Sequence, residues 1–205
     1  MIAIVDYGVG NLFSLKSSFD FLGLETVVTN QKEKISRASH IILPGVGAFG
    51  DAAKKLEDTG LKNYLICEAK KGKPFLGICL GMQLLFDKSY EYGIHDGLKL
   101  IPGEVVPILD NLPAEKQNLN IPQIGWNALH IENESPLFKY TNEGDCVYFV
   151  HSFYAKTEKE NLIATAEYGI PITAAVQNGN VFGTQFHPEK SGKVGLDMLK
   201  AFSEI

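Results

Sequence analysis

Apolar residues run along this 205-residue chain in two rhythms. In the first ninety residues, unbroken apolar runs alternate with segments whose apolar positions recur every three or four. Ile2–Val5 is a short apolar run ending at Asp6-Tyr7-Gly8, and it predicts a first strand. Leu12, Leu15, Phe19 and Leu22 then share one helical face. Asn11 is placed to cap that helix, and Gly23 to close it. Glu25–Thr29 and His40–Leu43 predict the second and third strands, the latter stopped by Pro44-Gly45. Asp51–Lys71 has helical spacing, interrupted at Gly60 and ended at Gly72. Pro74–Ile78 predicts a fully apolar fourth strand that continues into a helix over Leu80–Phe86. The order β-α-β-β-α-β-α implies an α/β protein with a mostly parallel sheet covered on both faces.

After Tyr90 the rhythm changes. Leu98–Leu109, Gly125–Ile131, Asp145–Tyr154, Ile163–Glu167 and Ile172–Phe186 predict strands punctuated by Gly, Pro and Asn. Asn178-Gly179 signals a type I′ hairpin turn between Ala175-Val176 and Val181-Phe182. This half is expected to add hairpins to the parallel sheet. Ser191 is expected to cap a last helix through Phe202, and the polar stretch Asn111–Asn120 to form a surface loop. No repeat, low-complexity run or linker divides the chain, so a single domain over residues 1–205 is expected.

Composition narrows the functional classes. Hydrophobic residues are 45% and charged residues 21%, enough apolar material for a real core. Nineteen Lys and Arg against 24 Asp and Glu give a formal net charge of −5, which lacks the basic footprint of a nucleic-acid binder. There is no polybasic run for a membrane surface, no signal-like start, and no apolar run of the roughly 18 residues a membrane helix needs. The cysteines Cys67, Cys79 and Cys146 form no C-x-x-C pattern, which argues against a disulfide framework and a zinc site. A cytoplasmic protein with reduced thiols is expected.

Gly77-Ile-Cys79-Leu-Gly81 lies between an apolar strand and a helical pattern, the arrangement of a nucleophile elbow with Cys in place of Ser. A strand that turns sharply into a helix brings the flanking backbones together, so side chains at both glycine positions would clash. The cysteine then sits in a strained turn at a helix start, where the dipole favours a thiolate and the Leu80 amide faces a developing oxyanion. Cys67, in a helical pattern, and Cys146, opening an alternating strand, have no flanking glycines and are read as buried structural thiols.

A thiol nucleophile needs a base, and the base an orienting partner. Of the five histidines, only His187 sits in a His-Pro-Glu run, where Pro188 fixes the backbone that sends His187 and Glu189 to the same side. His151 follows an apolar strand without such a partner and is read as pocket wall; His40, His95 and His130 are read as surface or edge histidines. The loop Gly45-Val46-Gly47-Ala48-Phe49-Gly50 matches a dinucleotide fingerprint literally. The next parallel strand ends in Cys79 rather than an acidic residue, so the loop is read as a donor of amides to an oxyanion.

Gly77-Ile-Cys79-Leu-Gly81-Met-Gln83 and His187-Pro188-Glu189, in that order, resemble the two signatures of the class I (triad-type) glutamine amidotransferase family. The resemblance extends over the whole chain. It implies a three-layer, flavodoxin-like sheet, mostly parallel with added antiparallel hairpin strands. Asp6-Tyr7-Gly8-x-Gly10-Asn11-Leu12-x-Ser14, Leu43–Phe49, Gly125-Trp126-Asn127 and Tyr148–Tyr154 are, within that family, similar to glutaminase subunits of imidazole glycerol phosphate synthases.

The resemblance implies that Cys79 attacks the side-chain amide of L-glutamine, that His187 is the acid and base, and that Glu189 orients it. Leu80 and the Val46–Gly47 region would hold the oxyanion, while Gln83, Gly47, His151, Ser152 and Phe153 would hold the substrate's polar ends. No metal or organic cofactor is implied. A chain this short has no visible second active site, so a partner is expected to take the ammonia. In this family that partner is a (β/α)8-barrel cyclase of histidine biosynthesis, bound as a heterodimer. Asn11, Gln123, Trp126 and Lys190 are the expected docking residues. Gln123 stands where the family often has His, which keeps a paralogous glutaminase serving surface-sugar amination in view. The same residues would also serve a stand-alone cysteine hydrolase, or persist in a non-catalytic binding module.

Overall fold

A computed structural model describes residues 1–205. Its first half comprises β1 (Ile2–Val5), α1 (Leu12–Phe21), β2 (Thr26–Thr29), α2 (Lys32–Arg37), β3 (His40–Gly45), α3 (Phe49–Asp58), α4 (Lys62–Lys70), β4 (Phe75–Cys79) and α5 (Leu80–Gln83). The second half comprises β5 (Lys88–Ser89), β6 (His95–Asp96), β7 (Glu104–Pro107), β8 (Gln123–Ala128), β9 (His130–Ile131), β10 (Cys146–His151), β11 (Phe153–Lys156), β12 (Leu162–Glu167), β13 (Pro171–Asn178), β14 (Val181–Thr184) and α6 (Gly192–Ser203).

The central sheet has eight strands in the order β2-β1-β3-β4-β14-β13-β12-β9. The five strands from β2 to β14 are parallel, and β13, β12 and β9 extend the sheet antiparallel. Alternation along β1 splits the core: Ala3 and Val5 join the cluster of Ile35, Leu56 and Leu65 on one face. Ile2 and Ile4 join Leu15, Phe19, Leu199 and Phe202 on the other. The sheet is thus the middle of three layers, with α2, α3 and α4 on one side and α1 and α6 on the other. None of these helices is long and apolar enough to cross a membrane.

Several elements differ from the expectation. Helix α2 separates β2 from β3; its KEKISR sequence buries only Ile35, so it has no apolar rhythm to read. Pro44-Gly45 does not stop β3, which runs on until Gly45 pairs with Cys79. The helix expected over Leu80–Phe86 is a single turn. The hairpin turn falls one residue later than expected, on Gly179-Asn180, because Asn178 pairs with Val181. Not every late strand joins the central sheet: β10 pairs with β8, and β11, β7, β5 and β6 form a separate sheet. The run expected as one strand over Asp145–Tyr154 changes sheets at Ser152. Asn111–Asn120 contains a 3-10 turn at Ala114–Lys116.

Candidate active site

Cys79 ends β4 at φ 55° and ψ −114°, a left-handed conformation that a side-chain-bearing residue adopts only when its surroundings enforce it. They do so through close backbone contacts. A Cβ on Gly81 would lie 1.8 Å from the Leu43 carbonyl oxygen, and one on Gly77 2.5 Å from the Gly81 oxygen. The ends of β3 and β4 and the start of α5 therefore close on one another, and Cys79 is left 7% exposed. Because α5 is one turn long, the polar help available to the sulfur is local amides rather than a long helix dipole.

His187 lies beyond the end of β14, the neighbour of β4. Its backbone N–H donates to the Tyr148 carbonyl at 3.0 Å, tying this segment to β10. Its Nδ1 is 2.8 Å from Glu189 Oε1, and both side chains are buried. A carboxylate only accepts, so Nδ1 carries the proton and Nε2 is left for the sulfur. Burial acts to lower the His187 pKa, but hydrogen bonds to Cys79 and Glu189, and their charges, push it up to about 9. The arrangement favours the imidazolium form of His187.

Ser191, expected to cap α6 with its side chain, turns its hydroxyl elsewhere. It accepts from Tyr148 N at 3.0 Å and donates to the His187 carbonyl at 2.7 Å, clamping the same segment.

Cys79 and His187 open into a pocket of about 390 Å³. Val46, Gly47, Gln83, His151, Ser152, Phe153 and Lys190, all expected at the site or its docking face, line it too. His151 is buried, and its Nδ1–H donates to the Phe153 carbonyl at 2.8 Å. Burial, together with the nearby His187 charge, lowers its pKa to about 4, so it is a neutral wall and not a competing base. Gln83 Nε2 uses both its protons, on the Phe153 carbonyl at 3.0 Å and on Gln185 Oε1 at 2.9 Å, leaving its own oxygen as acceptor.

Three further residues line the pocket: Glu91 and Pro122, which the sequence did not single out as site residues, and Val150, seen only within the Tyr148–Tyr154 motif. Glu91 Oε2 accepts from Phe49 N at 2.6 Å, so a carboxylate 42 residues away caps α3 and reaches the pocket. Burial pushes its pKa up despite that bond. Tyr7, seen only as part of a motif, donates its buried hydroxyl to the Pro44 carbonyl at 2.8 Å and anchors the approach to the Val46–Gly47 loop. Gly47 itself is at φ 91°, a region glycine enters freely.

Other expected residues do not line this pocket. The Leu80 side chain is buried in the core, and only its backbone can serve the site. Gln123 is fully buried at the same rung as His151, with Nε2 donating to Asn127 Oδ1 at 2.9 Å, so it cannot meet a partner directly. Asn11 caps α1, accepting from Ser14 N at 3.4 Å. Trp126 is 55% exposed on the outer face of β8, edge-on to Tyr148. Cys67 and Cys146 are exposed rather than buried: they sit on the outward positions of α4 and β10.

Residues 3–204 match the family model of class I glutamine amidotransferases. The chain belongs to the class I glutamine amidotransferase family. Among amidotransferase relatives, it is 46% identical over 98% of its length to the Geobacter metallireducens protein named imidazole glycerol phosphate synthase subunit HisH, covering 97% of it. The equivalent subunit from Caldanaerobacter subterraneus is 48% identical, with coverage of 100% and 98%. Solved amidotransferase structures share the fold at low identity. One, described as a glutamine amidotransferase, superposes with a TM-score of 0.75 at 17% identity, covering 99% of this chain and 100% of that one. The glutaminase domain of Trypanosoma brucei CTPS gives 0.66 at 16% identity, covering 99% and 93%.

Proposed function

We propose that this chain is a glutaminase subunit, a single domain over residues 1–205, that feeds ammonia to the cyclase making imidazole glycerol phosphate in histidine biosynthesis. The observation that carries the chemistry is the pocket shared by the strained Cys79 and by His187, whose Nδ1 meets Glu189 behind it. The names of relatives 44–48% identical over essentially the whole chain support the pathway.

In this reading the Cys79 thiolate attacks the side-chain amide carbon of L-glutamine. Backbone N–H groups of Leu80 and of the Val46–Gly47 loop take the oxyanion. His187 hands its proton to the departing nitrogen, the C–N bond breaks, and ammonia leaves a γ-glutamyl thioester. His187, now neutral, takes a proton from water, whose oxygen attacks the thioester and releases glutamate. The Glu91 carboxylate and the Gln83 oxygen offer acceptors to the α-ammonium. The Gly47 and Ser152–Phe153 backbones hold the α-carboxylate.

Ammonia in bulk water at neutral pH is mostly protonated and nucleophilically inert, so its delivery needs a covered exit. The outer face of β8 and β10 presents Ile124 at 61% and Trp126 at 55% exposure. Lys190 reaches over the Tyr148 ring, 5.8 Å from its centre, and also lines the pocket mouth. This strip suits a (β/α)8-barrel cyclase docked over the mouth in a heterodimer, in the cytoplasm where thiols stay reduced.

The test is Cys79→Ala in the complex with the cyclase. Glutamine-dependent synthesis is expected to vanish while synthesis from added ammonium salt stays within about twofold of the parent. Glutamate release by the Ala variant, or full glutaminase activity of the chain without the cyclase, would overturn the reading.

A further inference from the structure

Gln185 is completely buried two residues before His187, with its side-chain amide between Gln83 and Cys79. Its Nε2 lies 3.8 Å from Cys79 Sγ, within hydrogen-bond range for sulfur, and sulfur is that nitrogen's only partner. Its Oε1 accepts from Gln83 Nε2 at 2.9 Å, and Gln83 Nε2 also donates to the Phe153 carbonyl at 3.0 Å.

The direction of this relay is set from one end. A main-chain carbonyl can only accept, so the nitrogen of Gln83 must face Phe153. That same nitrogen then requires an oxygen from Gln185, which leaves the N–H of Gln185 facing the sulfur. Turning either amide round would set donor against donor or acceptor against acceptor. Extended backbone sends residues two apart to the same side, so Gln185 and His187 both turn toward Cys79 while Phe186 packs in the core.

A buried position filled by packing alone would take Leu or Met; an amide there must find partners. An N–H aimed at sulfur stabilises the thiolate far more than the thiol, because charge strengthens the bond. We propose that Gln185 is a positioning residue that holds the Cys79 sulfur toward the pocket and stabilises it as the thiolate, linked through Gln83 to the substrate side. This rests on Cys79 being the nucleophile.

The experiment uses the full-length chain with Cys67→Ser and Cys146→Ser, leaving Cys79 as the only thiol, and follows iodoacetamide alkylation against pH. Gln185→Met removes the donor at similar volume. Gln185→Glu keeps the bond from Gln83 but turns a carboxylate oxygen to the sulfur. The pH midpoint of alkylation in the Met variant is expected to move up by about one unit, with the rate at pH 7 falling by up to tenfold. The Glu variant should move further in the same direction. In the complex with the cyclase, kcat for glutamine should fall while KM stays within about twofold. A thermal melt reports folding; should the Met variant not fold, the isosteric Glu variant decides. Profiles that superimpose on the parent's would make Gln185 a packing residue and overturn the proposal. Failure of the nucleophile reading looks different: Cys79 would be unreactive in the parent itself.

Discussion

His151 and His187 share one pocket and titrate in opposite directions. Burial and the neighbouring His187 charge lower His151 to about 4, whereas Cys79 and Glu189 raise His187 to about 9. For His151 the unfolded chain, near 6.5, binds a proton that the native state refuses, so stability is full above pH 6.5 and is lost as pH falls toward 4. For His187 the sign reverses: its contribution is present below pH 6.5 and is lost as pH rises through 9. His151→Phe, which keeps a ring of similar size, should therefore flatten the acid limb of the stability curve. The change is at most about 1.4 kcal/mol per pH unit between pH 4 and 6.5. Urea unfolding at pH 5.0, 6.0 and 7.5 reads this directly; an unchanged acid slope would show that His151 is not held neutral. The grouping of Cys79, His187 and Glu189 was legible because each cue is local: two glycines flanking Cys79, and an acid two residues after His187 across a proline. Glu91, Gln185 and Tyr7 were not, because their partners lie 42, 106 and 37 residues away.

The elements that carry strong periodicity were readable, and those held by their neighbours were not. β1, β4 and the divided helix around Gly60 follow from apolar runs and a single breaker. The two-residue strands β5 and β6 exist only through pairing, and a two-residue segment has no period to read. Close approach between elements leaves another signature, at glycine. Gly81 lets α5 touch β3, and Gly195 lets α6 rest on Pro188, where a Cβ would lie 1.8 Å from the carbonyl oxygen. The second contact buttresses the turn that presents Glu189. Gly81→Ala and Gly195→Ala each force backbone to move, and should destabilise by about 3 kcal/mol, lowering Tm by roughly 6–12 °C. Gly195→Ala should also depress glutaminase activity by loosening Glu189. Calorimetry with matched kinetics checks both; a variant with unchanged Tm would mean that the helix can shift freely, and the buttressing account would fail.

At the scale of the whole molecule, the sheet sets where chemistry can happen. Parallel strands β3, β4 and β14 end together, which gathers the Gly45–Gly47 loop, Cys79 and the His187 segment at their carboxyl ends, where open α/β sheets place their ligand crevices. The chain's switch from β10 to β11 at Ser152 lays His151–Phe153 across the same edge and leaves the β8–β10 ribbon beside the mouth. A docked partner would then both cover the pocket and receive what leaves it. Trp126 is half-exposed and rests on one aromatic neighbour, so its removal should hardly disturb the fold, while interface tryptophans commonly carry about 2 kcal/mol or more. Trp126→Ala should weaken the cyclase complex by roughly thirtyfold in Kd while changing Tm by less than about 2 °C. At protein concentrations where the complex still forms, ammonia-driven synthesis should be unaffected, but glutamate release should outrun product formation as the seal over the mouth loosens. Sedimentation measures the first effect and parallel assays of glutamate and imidazole product the second. A Trp126→Ala complex with parental affinity and one glutamate per product would place the docking face elsewhere on the molecule.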